Sequence, residues 1–192
     1  MNTIIRNSLF LLAASAVFSA CKDDDNTPEN PNKPNNPVEV ITTVKLVLTD
    51  PGGKVVTATW KDADGDGPGA PVISGLSLST GQHYDGEVYL LDESKTPVDS
   101  ISTEIEEKEK EAHQFFYTVT GGAASRVTVE KEDKDANNLP VGLKIHVDVT
   151  PGMGATGVFK LVLKHYDGIN KSADASVGET DVEAEFPLTL LP

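Results

Sequence analysis

The chain has one cysteine, Cys21, among 192 residues. Internal disulfides are excluded, so any folded part must be held by its own core. Long apolar runs are missing too. Leu9 to Phe18 spans about ten residues, half of the roughly twenty that a membrane-crossing helix needs. Tryptophan occurs once, at Trp60, and aromatics make up 6% of the chain, which disfavours a sugar-stacking face. Positive charge is scarce: 16 Lys and Arg stand against 30 Asp and Glu, for a formal net charge of −14. Nucleic acid and anionic lipid are therefore disfavoured partners. Catalytic signatures are lacking as well: there is no GxSxG, no HExxH, no Cys/His pair and no phosphate-cradling glycine loop. Ser and His occur without triad spacing, and carboxylates are too common here to single out an acid–base pair. No enzyme is expected.

What is present starts at the amino terminus. Arg6, the apolar run and the small residues Ser19 and Ala20 form the three parts of an export signal over residues 1–20. Phe18-Ser19-Ala20-Cys21 resembles a bacterial lipobox, with Phe18 where leucine is usual. That resemblance implies cleavage before Cys21 and fatty acylation, with palmitate-type chains, of its sulfur and amino group. Several acyl chains hold far better than one. Lys22-Asp23-Asp24-Asp25 resembles the lysine-plus-acidic signal that sends such lipoproteins to the outer face of the outer membrane. Residues 26–37, NTPENPNKPNNP, have no apolar periodicity and read as a tether. Fully extended at about 3.1 Å per residue, the stretch from Cys21 to Val38 reaches roughly 50 Å. Loss of residues 1–20 removes only Arg6 from the basic side, so the mature chain keeps a strongly acidic balance that attracts cations.

Residues 38–192 form one domain by length. Apolar and polar residues alternate across it: Val44, Leu46 and Leu48; Val56, Ala58 and Trp60; Phe115, Tyr117 and Val119; Val141 through Val149; 157–166; and Val182 through Leu190. Shorter runs lie at 72–78, 86–92 and 127–129. Period two over eight or nine segments predicts half-buried strands. The exception is 99–113, DSISTEIEEKEKEAH, where Thr103 and Glu106 fit a capping box and Glu104–Lys108 and Glu106–Lys110 are favourable pairs. A helix of about three turns is predicted. The fold expected is an antiparallel, immunoglobulin-like β-sandwich in the broad sense, with a small barrel as the alternative. Pro187 predicts an edge position or a bulge in the last strand.

WKDADGDGPGAPVI, the acidic segment running into HQFFYTVTGG, LVLKH and GETDVEAEFPLTL together resemble a family of small Bacteroidetes-type outer-membrane surface lipoproteins. These are sometimes labelled periplasmic-binding-fold proteins. The resemblance covers most of the mature domain and brings no catalytic residues with it. It implies a surface nutrient-capture role beside a TonB-dependent transporter.

Two constellations have ligand chemistry. Asp62, Asp64 and Asp66 with Gly65 and Gly67 reproduce the DxDxDG start of a calcium loop, but Ile73 stands where a bidentate glutamate belongs. An Asp/Gly turn between two strands explains the same residues. Glu109 and His113 lie four apart at the end of the acidic segment, and His165 closes a strand with Asp167 just beyond it. If those two strand ends meet at one rim, two imidazoles and one or two carboxylates converge, a donor set for zinc, copper or iron. The condition is that the imidazole nitrogens approach within about 4–5 Å. Ordinary structural roles for these histidines are the alternative. His83 sits in a turn-like stretch, and His146 falls on the polar phase of a strand. The function expected is a surface-exposed lipoprotein acting as a binding module for a metal ion or metal-bearing nutrient. The alternative is a structural or adhesive surface protein binding protein or glycan.

Overall fold

Period-two alternation becomes two facing sheets. In the computed structural model, which describes residues 39–63 and 69–192, the strands are β1 (Thr43–Thr49), β2 (Val55–Lys61), β3 (Val72–Ile73), β4 (Leu76–Ser79), β5 (His83–Asp92), β6 (Asp99–Ser100), β7 (His113–Gly121), β8 (Val127–Lys131), β9 (Lys144–Val149), β10 (Ala155–His165) and β11 (Glu179–Leu191). One sheet runs β3-β2-β1-β5-β9-β8, with β6 added to β5, and the other runs β4-β11-β10-β7. Leu46, Leu48, Leu90, Ile145 and Val147 of the first sheet share one core with Phe115, Phe159, Leu161, Leu163 and Phe186 of the second. The described residues thus form a β-sandwich, as the alternation predicts, and not a closed barrel. No helix among them is long and apolar enough to cross a membrane.

Four local expectations change. The run at 72–78 is two strands, because the chain leaves the first sheet after Ile73 and joins the second at Leu76. β4 then pairs with β11 in parallel, the exception in an otherwise antiparallel ladder set. His83 does not lie in a turn: it opens β5. Pro187 lies in an internal strand without a bulge at its position, but β4 covers β11 only from Leu188 onward. The missing N–H therefore falls where β11 has one neighbour only.

The acidic segment is shorter than predicted. Helix α1 covers Ile101–Glu104 with Ser100 at its N-cap, and a π-helical turn, Ile105–Glu109, follows. Thr103 is inside the helix and not its cap; its hydroxyl meets that of Ser100 at 2.8 Å. Ile101 and Ile105 are buried on the expected stripe. Lys108 pairs with Glu104 at 3.4 Å, whereas Glu106 reaches Lys144 on β9 at 2.9 Å instead of Lys110. A partner presented by the packed sheet displaces the local one.

Candidate metal centre

The two histidines meet. β7 and β10 are antiparallel neighbours with His113 directly opposite His165, so the first residue of one strand faces the last residue of the other. Their rings lie 4.4 Å apart between centroids and 27° from parallel. His113 is fully buried, and 12% of the His165 side chain is exposed.

The carboxylate that joins them is Asp181, not Asp167. In β11, Leu163 pairs with Val182 but Lys164 pairs with Thr180, which leaves Asp181 as the extra residue of a β-bulge. Bulges re-aim side chains, and this one sets the Asp181 carboxylate beside one nitrogen of each imidazole. Oδ2 lies 3.6 Å from Nε2 of His113, and Oδ1 lies 3.7 Å from Nδ1 of His165. Both separations exceed a hydrogen bond. Donor atoms of His113, His165 and Asp181 all fall within 4.8 Å of one another, which satisfies the condition set from sequence.

Glu109 ends the π-helical turn, and its backbone carbonyl oxygen lies 3.1 Å from Nδ1 of His113. A carbonyl only accepts, so Nδ1 carries the proton and Nε2 keeps its lone pair. That is the second-sphere arrangement that orients a metal-binding imidazole. The Glu109 side chain is also near, with Oε2 at 3.7 Å from Nδ1. Glu39, just before β1, completes a second triad with Glu109 and His113 inside the same 4.8 Å limit. The backbone bond occupies His113 Nδ1, so that triad does not share the imidazole as a ligand. It is a carboxyl pair flanking the site.

Electrostatics set the charge states. Burial pushes His113 down to about 4, so the ring is neutral at pH 7. Burial also lifts Asp181 to about 6, leaving it largely ionised there. Glu39 is pushed up to about 8, by burial first and then by the neighbouring Glu109 and Asp181 carboxylates, so it holds its proton at pH 7. A neutral Nε2 and an ionised Oδ2 then face each other as two acceptors. Both atoms are buried without a hydrogen-bond partner, as are Oε2 of Glu109 and Oε2 of Glu39. Nε2 and Oδ2 call for a ligand or ordered water between them, whereas the proton held by Glu39 is placed to be shared with the Glu109 carboxylate. Two donors bound at about 2.1 Å to a tetrahedral ion stand roughly 3.4 Å apart. The Asp181 contacts are already close to that spacing.

Sequence reasoning finds Glu109, His113 and His165 and misses Asp181 and Glu39. Asp181 alternates with Val182, Ala184 and Phe186 and so reads as an outward residue. Only the bulge reverses that. Of the calcium-loop residues, Asp64 and Asp66 lie outside the described residues. Asp62 is buried just after β2, where its N–H donates to Thr42 O at 2.9 Å. Cys21 and Lys22 through Asp25 also lie outside the described residues.

Fold and rim together define a β-sandwich carrying a buried imidazole–carboxylate cluster. Comparison of the chain with protein-family models, with curated proteins and with solved structures gives no match.

Proposed function

We propose that this protein is a lipid-anchored surface lipoprotein of the outer membrane whose sandwich rim binds a first-row transition metal ion of the zinc type. The rim would bind it either free or as part of a metal-bearing nutrient, beside a TonB-dependent transporter. The observation that carries the metal reading is the buried, partnerless Nε2 of neutral His113 facing the partnerless Oδ2 of Asp181, with His165 against the other carboxylate oxygen. Imidazole nitrogen favours zinc, copper, iron or nickel over calcium and magnesium, which select all-oxygen sites. His113, His165 and Asp181 supply three donors, which leaves a fourth position for water or the metal-bearing nutrient. The anchor rests on the sequence: the lipobox-like Phe18–Cys21, the acidic run after it and the tether.

Zinc titration of the full chain, purified without chelator, tests the metal reading. The wild type is expected to bind, and His113→Ala with His165→Ala is expected to lose that binding at the rim. Equal affinity in both proteins would return the histidines to structural roles and favour the adhesive alternative.

A further inference from the structure

We infer that the outer face of the larger sheet carries a second, open site for a divalent transition metal ion, built from His146, Asp85 and Glu132 with His83 beside them. It lies apart from the rim cluster on different strands and does not depend on it. His83, Asp85 and Glu87 are the outward residues of β5, alternating with the buried Tyr84, Gly86 and Val88. Register sets Asp85 opposite His146, and His83 opposite Asp148. On the far side of β9, Glu130 faces His146, and the Glu132 N–H continues the ladder to Lys144 O at 2.9 Å. β5, β9 and the residue just after β8 thus bring one donor each to one spot.

The geometry has ligand dimensions. Donor atoms of Asp85, Glu132 and His146 lie within 4.8 Å of one another. Nδ1 of His146 donates a hydrogen bond of 3.0 Å to Oδ1 of Asp85, so an ion binding here displaces that proton and takes its place between the two atoms. The His83 ring centroid is 5.5 Å from that of His146, so a second imidazole is within a side-chain rotation of the same point.

A concavity adjoins the two carboxylates of this cluster, though neither imidazole lines it. Asp85, Glu87, Glu132 and Lys144 line this concavity, with Gly86 at its floor. A Cβ built on Gly86 would stand 2.5 Å from Leu48 Cδ2 and 2.8 Å from Ile145 Cγ1. Only glycine lets β5 run this close to the core. Carboxylates outnumber ammonium groups around the concavity, which raises the local concentration of cations.

Two imidazoles with carboxylates select zinc, nickel or copper(II) rather than calcium. The site is open, and Asp85 keeps 80% of its side chain exposed. Binding here is accordingly weaker than at the buried rim and exchanges faster.

Equilibrium dialysis of the full chain against zinc chloride separates the two sites. Wild type is expected to hold two equivalents. The His113→Ala, His165→Ala variant should keep one, and adding His146→Ala and Glu132→Gln should remove it. Exposed side chains change little in stability, so an unchanged melting curve for the His146→Ala, Glu132→Gln variant verifies the fold. If that variant binds as many equivalents as wild type, at equal affinity, the second site does not exist. Loss at the rim alone and loss at the face alone are separate readings, so failure of one leaves the other standing.

Discussion

Nε2 of His113 lies 3.6 Å from Oδ2 of Asp181, and neither atom has a hydrogen-bond partner. The Nδ1 proton is fixed on the Glu109 carbonyl, so the ring has no second proton to offer while it is neutral. A proton on Asp181 or a cation between the two relieves the opposition of lone pairs. Asp181→Asn distinguishes these, because an amide N–H donates to Nε2 but a neutral amide is a poor metal ligand. The variant is expected to melt no lower than wild type in EDTA at pH 8. Its zinc affinity should fall at least about tenfold, in the range seen when site residues are replaced. Calorimetric titration and thermal melts read both, and an affinity within twofold of wild type removes Asp181 from the ligand set.

Metal binding to the folded state alone raises stability by mass action. Zinc at about 100 times its dissociation constant contributes roughly 2.7 kcal/mol, a rise of roughly 5–10 °C in melting temperature for a domain of this size. Excess chelator should reverse the rise, and the His113→Ala, His165→Ala variant should show only the smaller rise that the weaker face site contributes.

Glu39 makes stability depend on pH in a definite direction. Its ordinary value of 4.5 is raised to about 8 in the folded state, so between those values the folded chain holds a proton that the unfolded chain has lost. Stability therefore falls as pH rises through that window. Glu39→Gln removes the decline. In denaturant melts with EDTA, variant and wild type should coincide near pH 4, and the variant's advantage should grow up to about pH 8 and then level off. A constant difference across the range would contradict the buried-carboxyl reading.

Gly157 sits where β7 and β10 come closest to the following turn. A Cβ there would stand 2.0 Å from Thr120 O and 3.1 Å from Ala123 Cβ. The first obstacle is backbone, which cannot step aside. Gly157→Ala is expected to cost about 1–3 kcal/mol, the usual penalty of overpacking. Chemical denaturation measures it, and an unchanged midpoint would place the strands farther apart than described.

The anchor has its own test. Cys21→Ala should leave the protein out of the detergent phase, while alanines at Asp23, Asp24 and Asp25 should leave it lipidated but turned inward. Whole-cell protease shaving reads the second outcome. Equal surface cleavage of both proteins would make the acidic run tether only.

Sequence by itself determined an all-β domain of half-buried strands, because period two in Val44–Leu48, Val141–Val149 and Val182–Leu190 gives each strand one buried face. That they form two facing sheets and not a barrel was decided by strand order. Sequence also determined the candidate imidazoles, since Glu109 and His113 lie four apart and His165 closes a strand. Tertiary structure decided everything that depends on strand order. The pairing of β7 with β10 put His113 against His165, a contact 52 residues apart that no local pattern encodes. The bulge at Asp181 broke the alternation from which the sequence reads it as outward, and β1 brought Glu39 in from the far end of the domain. Alternation reports which face a residue takes, whereas a site is made where strands from distant parts of the chain end together.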